Sequence, residues 1–195
     1  ADGDQVDHRG QDRMPRHIGV ARIHDLYRAR RNRRNISRCA ADIDGDDEPE
    51  LLGWVQGSSI RCAAVVDLAT GSLEWYDAYP MDTAAVGQLD TDPALEIMVS
   101  HQSGTRVLDG STHASQWSGA SSTDNQIMVG NFIGDPDFQE FALAKVSGAV
   151  HVFASQPSIA LAHVHPVGEL TPLAVYDVNA DGRDDLILES RSDNA

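Results

Sequence analysis

The stretch DVNADGRDDLILES, residues 177–190, sets Asp177, Asn179 and Asp181 at alternate positions, then Gly182, then Asp185, and runs on into apolar residues. Calcium is a hard cation that takes about six to eight oxygen ligands. A short loop supplies them when side chains at its first, third, fifth and ninth positions and the main-chain carbonyl at its seventh converge on one point. A glycine permits the sharp turn this needs. In this stretch the set is Asp177, Asn179, Asp181, the carbonyl of Arg183, and Asp185. The apolar run after it has the length and composition of a short strand.

The same arrangement recurs three times upstream: DIDGDDEPELLGWV from Asp42, QLDTDPALEIMVS from Gln88 and NFIGDPDFQEFALA from Asn131. The four starts lie 46, 43 and 46 residues apart. Each acidic loop follows a short apolar stretch (SRCAA, DTAAVG, NQIMVG, TPLAVY) and precedes another (LLGWV, IMV, FALA, LILE). A polar turn and a third stretch rich in β-formers come next (AAVVDL, TRVLDG, AVHVFA), and the first two units close on a Trp, in SLEWYD and ASQW. Short strands at this spacing, with Gly, Ser, Asp and Asn in the turns, predict an all-β chain. About four strands in roughly 45 residues is the size of one propeller blade.

The loops differ in how complete they are. The first offers Asp42, Asp44, Asp46, the carbonyl of Glu48, and Glu50, with its glycine at the fourth position where the last loop has it at the sixth. The second offers Asp90, Asp92 and Glu96, with Gln88 in place of the first acid and Pro93 in place of the glycine. In the third, Ile133 cannot ligate and Glu140 comes one residue late, so it reads as an acidic turn retained from the repeat.

Acidic loop, strand and Gly/Ser turn in this order resemble the FG-GAP/VCBS repeats of integrin-α-like β-propellers. VVDLATGSLEW and RVLDGSTHASQW are also similar to PQQ-type propeller repeats. The resemblance covers about residues 36–195. It implies a β-propeller or partial propeller of about four four-stranded blades with calcium in its loops. The expected units are 36–80, 81–122, 123–168 and a truncated 169–195, with 1–35 as a basic arm or extra blade strands. Such blades occur in adhesion receptors, lectins, polysaccharide lyases and assembly subunits, so the resemblance specifies fold better than activity. It implies a non-catalytic surface for a protein or glycan partner, extracellular or secreted. The alternatives are a lectin, or the propeller of a rhamnogalacturonan-lyase-like, calcium-dependent polysaccharide lyase. The blade count leaves two arrangements open. Either the chain is a piece of a larger propeller, completed by another chain, or residues 17–30 supply the missing strands of the last unit.

The charge distribution narrows the partners. Of 15 Lys+Arg and 30 Asp+Glu, residues 1–38 hold ten and five, leaving residues 39–195 at −20. Phosphates are repelled by such a body, so nucleic acid is not its expected partner. No apolar run reaches the roughly 18–20 residues of a membrane-spanning helix. No catalytic fingerprint with a nucleophile elbow, zinc helix or phosphate loop is present.

The remaining candidates have plain structural readings. Cys39 and Cys62 are either a bridge or two small buried side chains. His163 and His165 share one strand face. Trp75 and Trp117 occupy corresponding positions, which suits packing between units better than sugar stacking; Trp54 stands elsewhere in its unit. ARIHDLYRARRNRRN (21–35) reads as a basic arm or short helix able to meet an acidic surface, and Asn35-Ile36-Ser37 is a glycosylation sequon.

Overall fold

The computed structural model describes residues 39–56, 61–119, 126–133, 137–145, 148–166 and 170–190. The basic arm, the sequon and Asp135 of the third loop lie outside the described residues. Those described form fourteen strands and no helix. The first sheet runs β1 (Cys39–Ala41), β2 (Glu50–Gln56), β3 (Arg61–Asp67), β4 (Leu73–Pro80), each strand antiparallel to the one before it. The second runs β5 (Thr83–Gly87), β6 (Glu96–His101), β7 (Gly104–Leu108), β8 (Ser115–Gly119). The third runs β9 (Gln126–Gly130), β10 (Glu140–Lys145), β11 (Ala149–Ala154), β12 (Ala160–Pro166), and the fourth pairs β13 (Leu170–Tyr176) with β14 (Asp185–Ser190).

The sheets stack in chain order because both faces of their inner strands are apolar, and a strand buried on two sides needs a layer on each. Ile43, Leu52 and Val65 of the first sheet and its loops pack with Ala84, Ile97 and Val99 of the second. Leu89, Met98 and Val107 pack with Ile127, Phe141 and Leu143 of the third. Ala142, Val150 and Val152 meet Leu186 and Leu188 of the fourth. Where the first strands approach one another, side chains must be small. A Cβ on Gly130 would lie 2.5 Å from Val175 Cγ1, and one on Gly87 would strike Val129.

Aromatic residues bridge the same seams. Trp75 of β4 stacks on His113 of the second sheet at 4.5 Å. Trp117 of β8 lies edge-on to Phe141 and Phe153 of the third, at 5.8 and 5.3 Å. Arg106 of β7 reaches back to Asp77 of β4 at 3.0 Å and covers the Tyr79 ring. Trp54 packs against the first core cluster with Arg61 over its ring. Cys39 is half-buried and Cys62 buried, and both are free thiols.

Candidate metal loops

The four acidic loops join the first and second strands of each sheet, and a main-chain hydrogen bond ties each to the next. The first and last are built alike. Asp42 accepts the N–H of Asp46 at 3.0 Å on Oδ1 and that of Asp47 at 3.0 Å on Oδ2. Asp177 does the same for Asp181 and Gly182, at 3.2 and 2.9 Å. Asp44 and Asn179 each accept from the residue two further on, at 3.3 and 2.8 Å. Asp46 holds the Glu48 N–H at 2.8 Å, and Asp181 holds that of Arg183 at 2.9 Å. The displaced glycine is explained by the backbone. Both loops are left-handed at their fourth and sixth positions: Gly45 and Asp47 in one, Ala180 and Gly182 in the other. Each therefore needs two residues at positive φ and has its glycine at a different one.

The ninth-position acid has a role the sequence did not disclose. Glu50 Oε2 accepts the buried Ile43 N–H at 2.6 Å, Glu96 Oε2 accepts that of Leu89 at 2.5 Å, and Asp185 Oδ2 accepts that of Val178 at 3.1 Å. In the third loop Glu140 Oε2 takes two donors, Phe132 at 2.7 Å and Ile133 at 2.9 Å. Glu50, Glu96 and Glu140 are all buried. This carboxylate closes each loop by receiving the amide at its second position, whether or not the remaining ligand positions are filled.

Two groups of three carboxylates converge closely enough to hold a metal ion: Asp42, Asp44 and Asp46, and Asp90, Asp92 and Glu96. In the first, Glu50 stands apart on its amide. The crowding of charge there is visible at neighbouring Glu74, whose pKa is raised by burial and then by Glu50, Asp44, Asp67 and Asp46. In the second, Asp90 and Asp92 accept the N–H groups of Asp92 and Ala94 at 3.0 and 2.9 Å. Glu96 Oε1 is fully buried and has no hydrogen-bond partner. Burial pushes the Glu96 carboxyl up to about 7, against the Leu89 hydrogen bond and with help from the charge of Asp90. In place of an acid, Gln88 donates its Nε2 to the carbonyls of Asp90 and Asp92. A buried carboxylate oxygen with no donor, beside two other carboxylates, is relieved either by a proton or by a cation.

The loops also fasten neighbouring sheets, through residues that motif reading did not single out. Gln139 donates its N–H to the Gln88 carbonyl at 2.8 Å, and the Gln88 N–H returns to Gln139 Oε1 at 3.1 Å. One unit on, Asp184 donates to the Asn131 carbonyl at 2.7 Å and Asn131 returns to Asp184 Oδ2 at 2.8 Å. Between the first two sheets the apolar Leu95 keeps only the main-chain half, to Ile43 at 2.8 Å. The available signal was a polar residue just before the strand acid, opposite an amide at the first position of the preceding loop. No family model and no curated protein matches this chain.

Proposed function

We propose that this protein is a calcium-binding repeat array of the β-propeller kind, serving as a rigid, non-catalytic surface for a protein or glycan partner outside the cytoplasm. The observation that carries the metal reading is Glu96 Oε1, buried and unpartnered beside Asp90 and Asp92. The all-oxygen donor sets of this loop and of Asp42, Asp44 and Asp46 suit a hard cation better than zinc or copper. Stacking of four-stranded antiparallel sheets in chain order supports the propeller reading. Binding in the folded state alone stabilises by RT ln(1 + [Ca²⁺]/Kd), so the metal would stiffen the loop end of the stack. That end, with its clamped loops, would be the surface offered to a partner.

The test is thermal unfolding in EDTA, then across calcium and magnesium titrations, for the native chain and for Asp44→Asn and Asp92→Asn. Expected is a melting temperature that rises with calcium, rises less with magnesium, and loses part of the calcium response in each variant. A flat calcium response in the native chain would refute metal binding, and the loops would then be hydrogen-bonded turns only. Partner screening on glycan and protein arrays, with and without calcium, tests the surface reading.

A further inference from the structure

The seam between the third and fourth sheets departs from the two before it. Val65, Val107 and Val152 hold one position in the first three sheets. They pair with Leu52, Met98 and Ala142, each two residues after the acid that closes its loop. Their partners on the fourth strand are Trp75, Trp117 and His163. The two tryptophans reach across their seams, to His113 and to Phe141 and Phe153. The third unit sets an imidazole where the others set an indole. A second exchange accompanies this one. Thr105 and Val150 also correspond, opposite Ser100 and Ala144, and their fourth-strand partners are Gly119 and His165. Gly119 makes room for the Trp117 ring, which a Cβ there would strike. A Trp and a Gly that together fill one seam are thus replaced in the next by two histidines.

Among the described residues, that next seam holds a cleft of about 310 Å³. Val150, Val152, Leu186 and Leu188 form its apolar lining, and His163 and His165 stand on its wall. Both histidines are exposed, with ring centroids 5.9 Å apart and ring planes tilted by 44°. A polar pair at positions that elsewhere pack an apolar ring gives up burial across the seam. Departures of this kind from a chain's own rule are expected at functional sites.

The geometry points to His163 and His165 as a chelating pair for a divalent transition-metal ion of the zinc and copper class. Alternate residues of a strand face the same way, and the register opposite Val152 and Val150 turns both rings toward the fourth sheet. Imidazole nitrogen suits zinc, copper and nickel, whereas calcium takes oxygen. With metal–nitrogen bonds of about 2 Å, two imidazoles on one tetrahedral ion have centroids about 5 Å apart. The observed 5.9 Å has to close by only about 1 Å, within the reach of side-chain torsions on an exposed strand. Asp184 and Asp185 line the same cleft, each holding a main-chain amide through Oδ2, and their charge draws a cation toward it. Among the described residues no third ligand converges with the two imidazoles, so water or an incoming donor takes the remaining positions on the ion. The site differs in chemistry from the acidic loops and does not depend on whether they hold calcium.

Calorimetric titration of Zn²⁺ into the full chain, stripped with EDTA and held in excess Ca²⁺ to silence the acidic loops, tests the inference. Expected is a Zn²⁺ site that His163→Gln and His165→Gln each weaken by about tenfold or more. His151→Gln, on the opposite face of the same sheet, should leave it unchanged. Thermal unfolding in EDTA reports whether the variants fold as the native chain does. A second measurement needs no variant. Sub-stoichiometric Cu²⁺ added to the native chain should broaden the imidazole NMR signals of His163 and His165 ahead of those of His101, His113 and His151. Absence of Zn²⁺ binding, or binding unchanged in both variants, would overturn the proposal. So would broadening led by His113, which feels the charge of Asp44, because the ion would then sit in the first acidic loop.

Discussion

Replacing Glu96 by Gln tests the physical reading of the second loop without any metal present. The side chain is fully buried; Oε2 takes the Leu89 amide, and Oε1 has no partner. Desolvation is the main cause lifting its pKa from 4.5 to about 7. Between those values the folded protein binds more protons here than the unfolded chain does, so stability falls as pH rises through this window. The penalty is absent below pH 4.5 and complete above about 7. At about 1.36 kcal/mol per pKa unit it is at most about 3.4 kcal/mol. Solvent around the half-exposed Asp90 and Asp92 screens this to about 2 kcal/mol. Gln keeps an acceptor for Leu89 and resembles the protonated acid. In EDTA at pH 8, Glu96→Gln should therefore melt higher than the native chain by about 4–8 °C. The gap should close by pH 4.5, and the variant should lose the native slope between pH 4.5 and 7. Thermal unfolding followed by circular dichroism at closely spaced pH values reads this directly. A variant less stable than the native protein at pH 8 would refute the reasoning, since it would mean that the ionised carboxylate is held by donors and is not stranded.

Three further substitutions probe the scaffold. Ala180 sits at φ 59°, where an L-residue costs about 1–2 kcal/mol, so Ala180→Gly should stabilise by about 0.5–1 kcal/mol net of glycine's chain entropy, read by urea unfolding. Gly130→Ala should destabilise by about 2 kcal/mol, because its Cβ would press on the stiff Val175 side chain and on Asp184 Oδ2; equal stability would show that the first strands can separate freely. Trp117→Ala removes a half-buried ring that meets Phe141 and Phe153 across a seam, and should cost about 2–3 kcal/mol with loss of the aromatic circular dichroism signal.

The all-β class and the strand order were legible because the signal was repeated. LLGWV, IMV, FALA and LILE each mark a second strand, and a register that must bury both faces leaves few alternatives. The glycine that departs from the ligand template in DIDGDDEPE was also legible, but its cause was not. That cause is a pair of left-handed positions, and φ at Asp47 and Ala180 is a property of backbone closure that neither residue advertises. The packing of Trp75 and Trp117 between sheets follows from their corresponding positions, whereas the stack of Trp75 on His113 needs the turn that sets His113 at φ 58°. The Gln139 and Asp184 clamps were hidden because each joins residues about fifty apart, and local spacing carries no information about which loop lies alongside.

The loops show why ligand templates and structure agree only in part. A run of alternating acids serves two separable purposes here. The first- and ninth-position residues shape the turn: an Asp or amide at the start and an acid that receives the second amide at the end. The closing acid is present in all four units; in the third it comes one residue late, as Glu140, and holds both Phe132 and Ile133. The third- and fifth-position side chains offer oxygens that could hold a cation in the first two loops, and Ile133 offers none in the third. The turn-forming half is therefore expected to survive EDTA, with the loop-amide hydrogen bonds accepted by the Glu50, Glu140 and Asp185 carboxylates intact. The second loop is where the two purposes conflict, because Glu96 leaves one oxygen buried beyond what turn formation uses. A loop needed only as a turn gains nothing from that stranded oxygen, and this makes Glu96 the residue at which the metal reading stands or falls.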